Sequence, residues 1–456
     1  MNTPFFDVLI IGAGQAGPPL AVSLANSGWR VGLAERKHVG GSCVNFGCTP
    51  TKAAIASARA AQLARRAAEF GLRIPSVEVD FPAVLARARE IVLKSRNGLE
   101  AWLSGTAHLT LLHGHARFEG RDSDGFRLRL GEEPVAAAQV VLDTGTRSLI
   151  PPIPGLDEVD FLDAENWLDR AELPGRLVVI GGGSIGLEMA QFYRRLGSDV
   201  VVIEGTGQIA GHEEDADVAS ALQQLLEAEG IEFRLNSKIT RIERANRQIS
   251  VRLDKDAIVA THLFVATGRR PNTDDLGLET VGVKTSEHGL VEVDNRLATN
   301  VQGIWAAGDI RGGPMFTHTA WDDYRILQSQ LVGDGSRTTK RIVPHAVFTD
   351  PELGRVGMTE RSAREAGRRV KTARFEMRRN GKAVEIGETA GFIKVVVDLE
   401  TDRLLGAAVL ANDGAELVHI YIDVMNAGAP YQVIRDAIHI HPTLAEAVQS
   451  AVSALG

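Results

Sequence analysis

Short, almost wholly apolar runs alternate along this chain with longer stretches whose apolar residues recur at helical spacing. Residues 6–11, Phe-Asp-Val-Leu-Ile-Ile, form the first such run, the pattern of a parallel strand covered on both faces. Gly12-Ala13-Gly14-Gln15-Ala16-Gly17 follows, then a helical stretch to about Ala25 and a second run, 30–34, that ends on Glu35. The same order returns further on. Residues 177–180 predict a strand, Gly181-Gly182-Gly183-Ser184-Ile185-Gly186 a loop, and 198–203 a strand ending on Glu204. Gly12, Gly14, Gly17 and Glu35 recur at one constant offset as Gly181, Gly183, Gly186 and Glu204. Between the two copies lie Ala-rich helical stretches at 52–70 and 81–103, then strand-like pieces up to Val141-Leu142-Asp143. Pro151-Pro152-Ile153-Pro154-Gly155 reads as a stiff linker. The second unit runs through 262–266 and closes on Thr267-Gly268-Arg269-Arg270-Pro271-Asn272, and a further strand at 303–307 ends in Gly308-Asp309. From about Ile342 the texture changes to strands at 393–397 and 404–410 with helices after them. The pattern predicts an α/β protein: two tandem Rossmann-like dinucleotide-binding domains plus a C-terminal α+β domain. Its divisions fall at 1–150, 151–272, 273–341 and 342–456.

Strand, G-x-G-x-x-G, helix, strand, acid is a dinucleotide fingerprint in its structural context. The first Gly permits the tight turn, the second admits a pyrophosphate to the backbone, and the third lets helix and strand pack closely. The helix N-terminus attracts the phosphate charge, and Glu35 or Glu204 can accept from ribose hydroxyls. A Gly-rich turn that binds nothing is the bland reading of either copy alone; two copies at one spacing argue against it.

Composition narrows the classes. Fifty Lys and Arg against 58 Asp and Glu give a net charge of −8, the wrong sign for tracking a phosphate backbone. Aromatics at 5% are too few for base-stacking platforms. No apolar run reaches the about 18 residues of a membrane span, and no basic residue precedes Arg30, so neither membrane nor secretory signal is expected. A cytoplasmic protein follows by default. Only two cysteines occur, Cys43 and Cys48. That is too few for a disulfide framework or a structural zinc site, which leaves redox work or two unrelated buried thiols.

The neighbours of these cysteines carry a resemblance. Gly40-Gly41-Ser42-Cys43-Val44-Asn45-Phe46-Gly47-Cys48-Thr49-Pro50-Thr51-Lys52 resembles the redox-disulfide motif of the class I pyridine nucleotide–disulfide oxidoreductases, among them glutathione reductase, dihydrolipoyl dehydrogenase and mercuric reductase. Gly308-Asp309 resembles the second FAD motif of that family, and His439-Ile440-His441-Pro442-Thr443-Leu444-Ala445-Glu446 its C-terminal acid–base motif. The likeness covers nearly the whole chain. It implies that the first fingerprint, with 273–341 as a return segment, holds FAD, that the second holds NAD(P)H, and that 342–456 is a dimerisation domain. It implies Cys48 as the thiolate facing the flavin and Cys43 as the exposed interchange thiol, with Lys52 near the flavin ring and paired with Glu188. His441 would protonate the leaving thiolate, oriented by Glu446, in the active site of a homodimer partner; His439 ranks as structural. Further cofactor contacts implied are Arg36, Gly41, Ser42, Ala116, Gly145 and Thr317, together with Ile185, Gly268, Arg269 and Asp309. No metal ligands are implied.

Glu204 favours NADH, because a carboxylate accepts from a free 2′-hydroxyl and repels a 2′-phosphate. Residues 205–215 hold no Arg or Lys but do hold Glu213, Glu214 and Asp215, unlike the NADPH-specific glutathione reductases. Ser184 also departs from the Tyr those enzymes place there. Mercuric reductases carry a C-terminal cysteine pair and lack the His-Pro-Thr motif, whereas this chain has the motif and no further cysteine. Yet 151–155 and 312–318 resemble mercuric-reductase-like and reactive-chlorine-resistance flavoproteins as much as dihydrolipoyl dehydrogenases. The expectation is an NADH-linked disulfide or dithiol oxidoreductase, with a metal-ion (Hg or Cu) reductase as the alternative and a non-catalytic flavoprotein as a third reading.

Overall fold

The structure, a computed structural model, describes residues 3–211, 214–246 and 248–456. The first two apolar runs form strands Phe5–Ile11 and Val31–Glu35, paired in parallel. Phe5–Ile11 lies at the centre of a seven-stranded sheet, with Glu133–Leu142 on its other side. The far edge of Glu133–Leu142 is shared. Phe126–Leu130 pairs antiparallel along its first half and Ile304–Ala306 parallel along its end. The chain that departs for the second unit therefore comes back to complete the first.

That second unit is a five-stranded parallel sheet with Arg176–Ile180 between Asp199–Ile203 and His262–Val265. Ile180 pairs with Val265 as Ile11 pairs with Leu142, so corresponding residues of the two units stand in corresponding places. Helices Ser184–Leu196 and Ala216–Ala228 cover one face through Leu187, Val218 and Leu222. A three-stranded antiparallel sheet covers the other through Ile242, Val251 and Ile258. The C-terminal part is a five-stranded antiparallel sheet, His345–Val347 at one edge and Val370–Glu376 at the other. Helices Gly414–Asn426 and Ala445–Ser453 bury Leu417, Tyr421, Val448 and Val452 against it.

The helix expected over 52–70 begins earlier and ends sooner. Cys48–Arg65 is helical and a separate tight turn, Ala67–Phe70, follows. Pro50 falls in the first turn, where a missing N–H breaks no helical bond, so it does not delay the start. The helix expected over 81–103 is Phe81–Ser104, capped by the Asp80 carboxylate accepting from Ala83 N at 3.0 Å. No helix among the described residues is long and apolar enough to cross a membrane.

Candidate active site

The segment carrying the cysteines is held from several sides. Gly41 has φ +58°, and a Cβ there would lie 2.8 Å from Gly14 Cα, so only glycine lets this segment rest on the first dinucleotide loop. Asn45 is buried; its Nδ2 donates to Val39 O (3.0 Å) and Gly41 O (2.8 Å), and its Oδ1 accepts from Arg96 Nε at 2.8 Å. Trp167, fully buried, donates Nε1–H to Phe46 O at 3.0 Å. The carbonyl of Ser42 accepts from Gly47 N at 2.6 Å and closes the turn between the cysteines.

Cys43 sits in a single helical turn, Gly41–Asn45, and Cys48 is the first residue of Cys48–Arg65. The positive end of that helix favours a thiolate at Cys48. A hydrogen bond from Cys43 holds the Cys48 thiol down at about 6, against burial, with help from Thr317 Oγ1 at 3.2 Å and the Lys52 charge. The same bond, with burial, pushes the Cys43 thiol up, because its proton is held by the neighbouring thiolate. Two residues of one type are thus made chemically unlike. Both thiols are packed among neighbours, and Cys48 keeps more open surface than Cys43. The Cys48 sulfur opens onto the wall bearing Thr317, the side the resemblance assigns to flavin.

Lys52 Nζ lies 2.6 Å from Glu188 Oε2, and Glu188 Oε1 accepts from Phe348 N at 3.0 Å. The ammonium also stands over the Phe348 ring, 4.4 Å from its centroid. The expected Lys52–Glu188 pair is therefore formed, and it ties the redox helix to the second unit and to the C-terminal part.

The two fingerprints share their close approaches. A Cβ on Gly17 would lie 2.3 Å from Gly12 O, and one on Gly186 2.0 Å from Gly181 O. Each strand-end acid is fixed beside its loop. Glu35 accepts from Ala13 N (2.9 Å) and Lys37 N (2.7 Å), Glu204 from Gly182 N (2.8 Å) and Thr206 N (2.9 Å). Gly183 precedes the helix that carries Ile185, which is exposed. Asp309 accepts from Thr146 Oγ1 at 3.1 Å; burial raises its carboxyl and Arg269 opposes that. Arg269, which ends the second unit beside Gly268, reaches across to Thr146, with Nε on Oγ1 at 2.9 Å and Nη2 on O at 2.8 Å. Gly145, with φ +62°, accepts at its carbonyl from Asn272 N. Arg36 pairs at the surface with Asp275 at 3.1 Å, and Ala116 is buried at the start of Ala116–Arg121.

The acidic run counted with Glu204 is otherwise engaged. Glu214 is buried against Arg355 at 3.4 Å and Asp215 against Lys394 at 3.2 Å, both in the C-terminal sheet, so these carboxylates join domains. Glu213 lies outside the described residues. His441 Nδ1 is 3.0 Å from Glu446 Oε1, and Glu446 Oε2 also accepts from Thr443 N at 2.8 Å, in the first turn of Ala445–Ser453. With Nδ1 so engaged, Nε2 is the nitrogen left to exchange protons with a substrate. The ring is exposed on the C-terminal part, beside Gly381. Among the described residues no group of three or more His, Cys, Asp or Glu is placed to hold a metal ion. Arg96, Trp167 and Phe348 escaped the sequence reading, since each is a lone residue whose partner is set only by folding.

A fold with two dinucleotide units and a C-terminal sheet, carrying a polarised cysteine pair, defines a flavin-dependent disulfide oxidoreductase, and the chain belongs to the pyridine nucleotide–disulphide oxidoreductase family. The family description matches residues 6–323, and its dimerisation domain matches 343–452. The chain is 34% identical over 453 residues to the probable pyridine nucleotide-disulfide oxidoreductase RclA of Escherichia coli, covering 98% of this chain and 99% of that one. It is 34% identical over 465 residues to the dihydrolipoyl dehydrogenase of Cupriavidus necator, covering 99% and 98%. A solved structure, the Cu(II) complex of the HOCl-induced flavoprotein disulfide reductase RclA, superposes with a TM-score of 0.90 over 98% of this chain and 99% of that one, at 34% identity. The chain is an enzyme of this FAD- and NAD(P)H-dependent class.

Proposed function

We propose that this enzyme passes electrons between NADH and a small disulfide or dithiol substrate through FAD and the Cys43–Cys48 pair, as a homodimer whose active sites are shared across the interface. On this reading it works in the cytoplasm, where thiols are kept reduced and a pair can cycle. When bound, FAD supplies two-electron transfer between nicotinamide and disulfide. The residues of this chain do the rest. Gly12, Gly14 and Gly17 admit the diphosphate of FAD to the backbone, and Glu35 and Asp309 offer fixed acceptors to the hydroxyl groups of FAD. Lys52, held by Glu188, keeps a positive charge beside Cys48. Cys43 is the nucleophile toward substrate, and Cys48, held as thiolate, receives the internal disulfide bond. Glu204, already braced by Gly182 N and Thr206 N, offers an acceptor to a ribose hydroxyl and repels a phosphate in its place.

The observation that carries the disulfide reading is the His441–Glu446 pair, an oriented imidazole with one nitrogen free. A leaving thiolate needs a proton and a reduced metal ion does not. On this reading the target of His441 is the cysteine pair of the partner chain, as the resemblance implies. The metal-ion reading is favoured by one observation, that RclA of Escherichia coli has been solved as a Cu(II) complex. Turnover of NADH with lipoamide, glutathione disulfide, Hg²⁺ and Cu²⁺, by wild type and His441→Ala, separates the two. His441→Ala should lose about 10²- to 10⁴-fold in kcat with a disulfide and nothing with a metal ion. Full disulfide activity in that variant would reject the proposal. Glu204→Arg should narrow or reverse the preference for NADH; a wild type with the higher kcat/KM for NADPH would reject that part.

A further inference from the structure

The two dinucleotide units differ at one buried position. Asp143 N donates to Ile11 O, and Ala266 N to Ile180 O, both at 2.8 Å. A Cβ on Gly12 would lie 2.2 Å from Asp143 O, and one on Gly181 2.3 Å from Ala266 O. The same place in the repeated design thus holds a methyl group in the second unit and a carboxyl group in the first. That carboxyl is engaged: its Oδ2 accepts from Gly14 N at 3.1 Å and from Gly17 N at 2.8 Å. Helix Ser184–Leu196 starts directly after Gly183, whereas its counterpart starts only at Gly17, three residues after Gly14. Ala16 offers that helix no side-chain cap, and Pro18 and Pro19 have no N–H to be capped, so Asp143 takes the first-turn donor at Gly17.

Asp309 and Asp323 face the same region. Arg311 (2.7 Å) and Arg341 (2.6 Å) both pair with Asp323, Arg269 reaches Asp309 through Thr146, and Glu35 holds the other side of the loop at Ala13 N. Burial above all pushes the Asp143 carboxyl well above the usual carboxylate range; the two N–H bonds oppose this and the neighbouring acids reinforce it. We propose that Asp143 is a positioning residue for the dinucleotide of the first unit, holding the 14–17 loop from beneath and taking up a proton when the diphosphate binds. Retention of the cofactor then weakens as pH rises. The inference rests on FAD being that dinucleotide. Two negative charges repel strongly in a poorly polarisable interior. A neutral carboxyl removes that repulsion and still accepts both N–H bonds, so the loop keeps its shape. Ala266 leaves the nicotinamide side without such coupling.

The test is FAD binding to flavin-stripped protein, followed by fluorescence from pH 5 to 9, for wild type, D143N and D143A. Above the titration of Asp143 in the flavin-free protein, the wild-type Kd should rise by up to about tenfold per pH unit. D143N keeps an accepting oxygen and should give a flat profile with tighter binding than wild type at pH 9. D143A should also be flat but weaker than D143N at every pH, because the loop has lost its support. Calorimetry of wild type, at a pH above the titration of Asp143 in the flavin-free protein and in two buffers of different ionisation enthalpy, should show net proton uptake on binding FAD, and it decides the matter alone if D143N does not fold. Parallel profiles for wild type and D143N, or no proton uptake, would overturn the role of Asp143. Failure of every form to bind FAD would overturn the cofactor assignment as well.

Discussion

Cys48 is where one side chain's chemistry depends most on its neighbours. A thiol held down at about 6 is mostly thiolate at neutral pH, and it is the charged form that Cys43, Thr317 and Lys52 stabilise. That stabilisation is fully present above the ordinary thiol range and is lost as pH falls through about 6. In reduced Cys43→Ser protein, which keeps a hydroxyl donor beside Cys48, alkylation by iodoacetamide should rise with pH and level off well below the range of a free thiol. Adding Thr317→Val removes a hydrogen bond to a charged group, which should move the midpoint up by about one pH unit. An unmoved midpoint would show that Thr317 does not donate to the sulfur. Glu446 acts one step further back. Glu446→Gln keeps the shape but not the charge behind His441, and kcat with a disulfide should fall by roughly tenfold or more, with KM little changed.

At the scale of elements, the redox segment is rigid because a loop, a helix and a distant turn all grip it. Gly41→Ala would force a Cβ to 2.8 Å from Gly14 Cα, in a left-handed conformation, so the two segments must part. The expected result is loss of FAD on gel filtration, since the same displacement disturbs the first fingerprint. Trp167→Phe keeps a buried ring but leaves Phe46 O without its donor. It should lower stability by about 1–3 kcal/mol in urea unfolding. The motif from Gly40 to Lys52 was legible in the sequence through its resemblance to a family's redox-disulfide motif. Its supports were not, since Arg96 and Trp167 lie far along the chain and belong to no motif.

Across the whole molecule, buried ion pairs join parts that also share an apolar core. Arg195, 7% exposed, pairs with Glu229 and Asp350, both at 2.6 Å, and so links the second unit to the C-terminal part. Arg195→Met would strand two carboxylates and should cost about 3–5 kcal/mol, read as a lower Tm or a separate unfolding step of the second unit. Near His441 in the chain two large apolar side chains are exposed, Ile438 fully and Ile440 at 78%. Covering such residues is a reason for a second copy to bind here. After subunit exchange, inactive Cys43→Ser and inactive His441→Ala should form heterodimers with one complete site and regain up to about half the activity per heterodimer. Exchange without recovery would reject a shared site.

The sequence by itself determined the two dinucleotide units, because they rest on local spacing, a glycine turn after a buried strand, whereas the redox role of the cysteine pair and the His441–Glu446 pairing came through motifs that resemble those of a family. It also determined that Lys52 meets Glu188, but only through family resemblance, since those residues lie in different helices. Tertiary structure alone decided what the acids do. Glu214 and Asp215, in a run that reads as a screen against a phosphate, are turned into the C-terminal sheet, where Glu214 supplies the counter-charge of buried Arg355 and Asp215 joins Asp217 and Glu360 around Lys394. Asp143 reads as the polar end of a strand. Only the register of Glu133–Leu142 against Phe5–Ile11 brings it under Gly14 and Gly17, where a buried carboxyl meets the donors of a helix it is not part of.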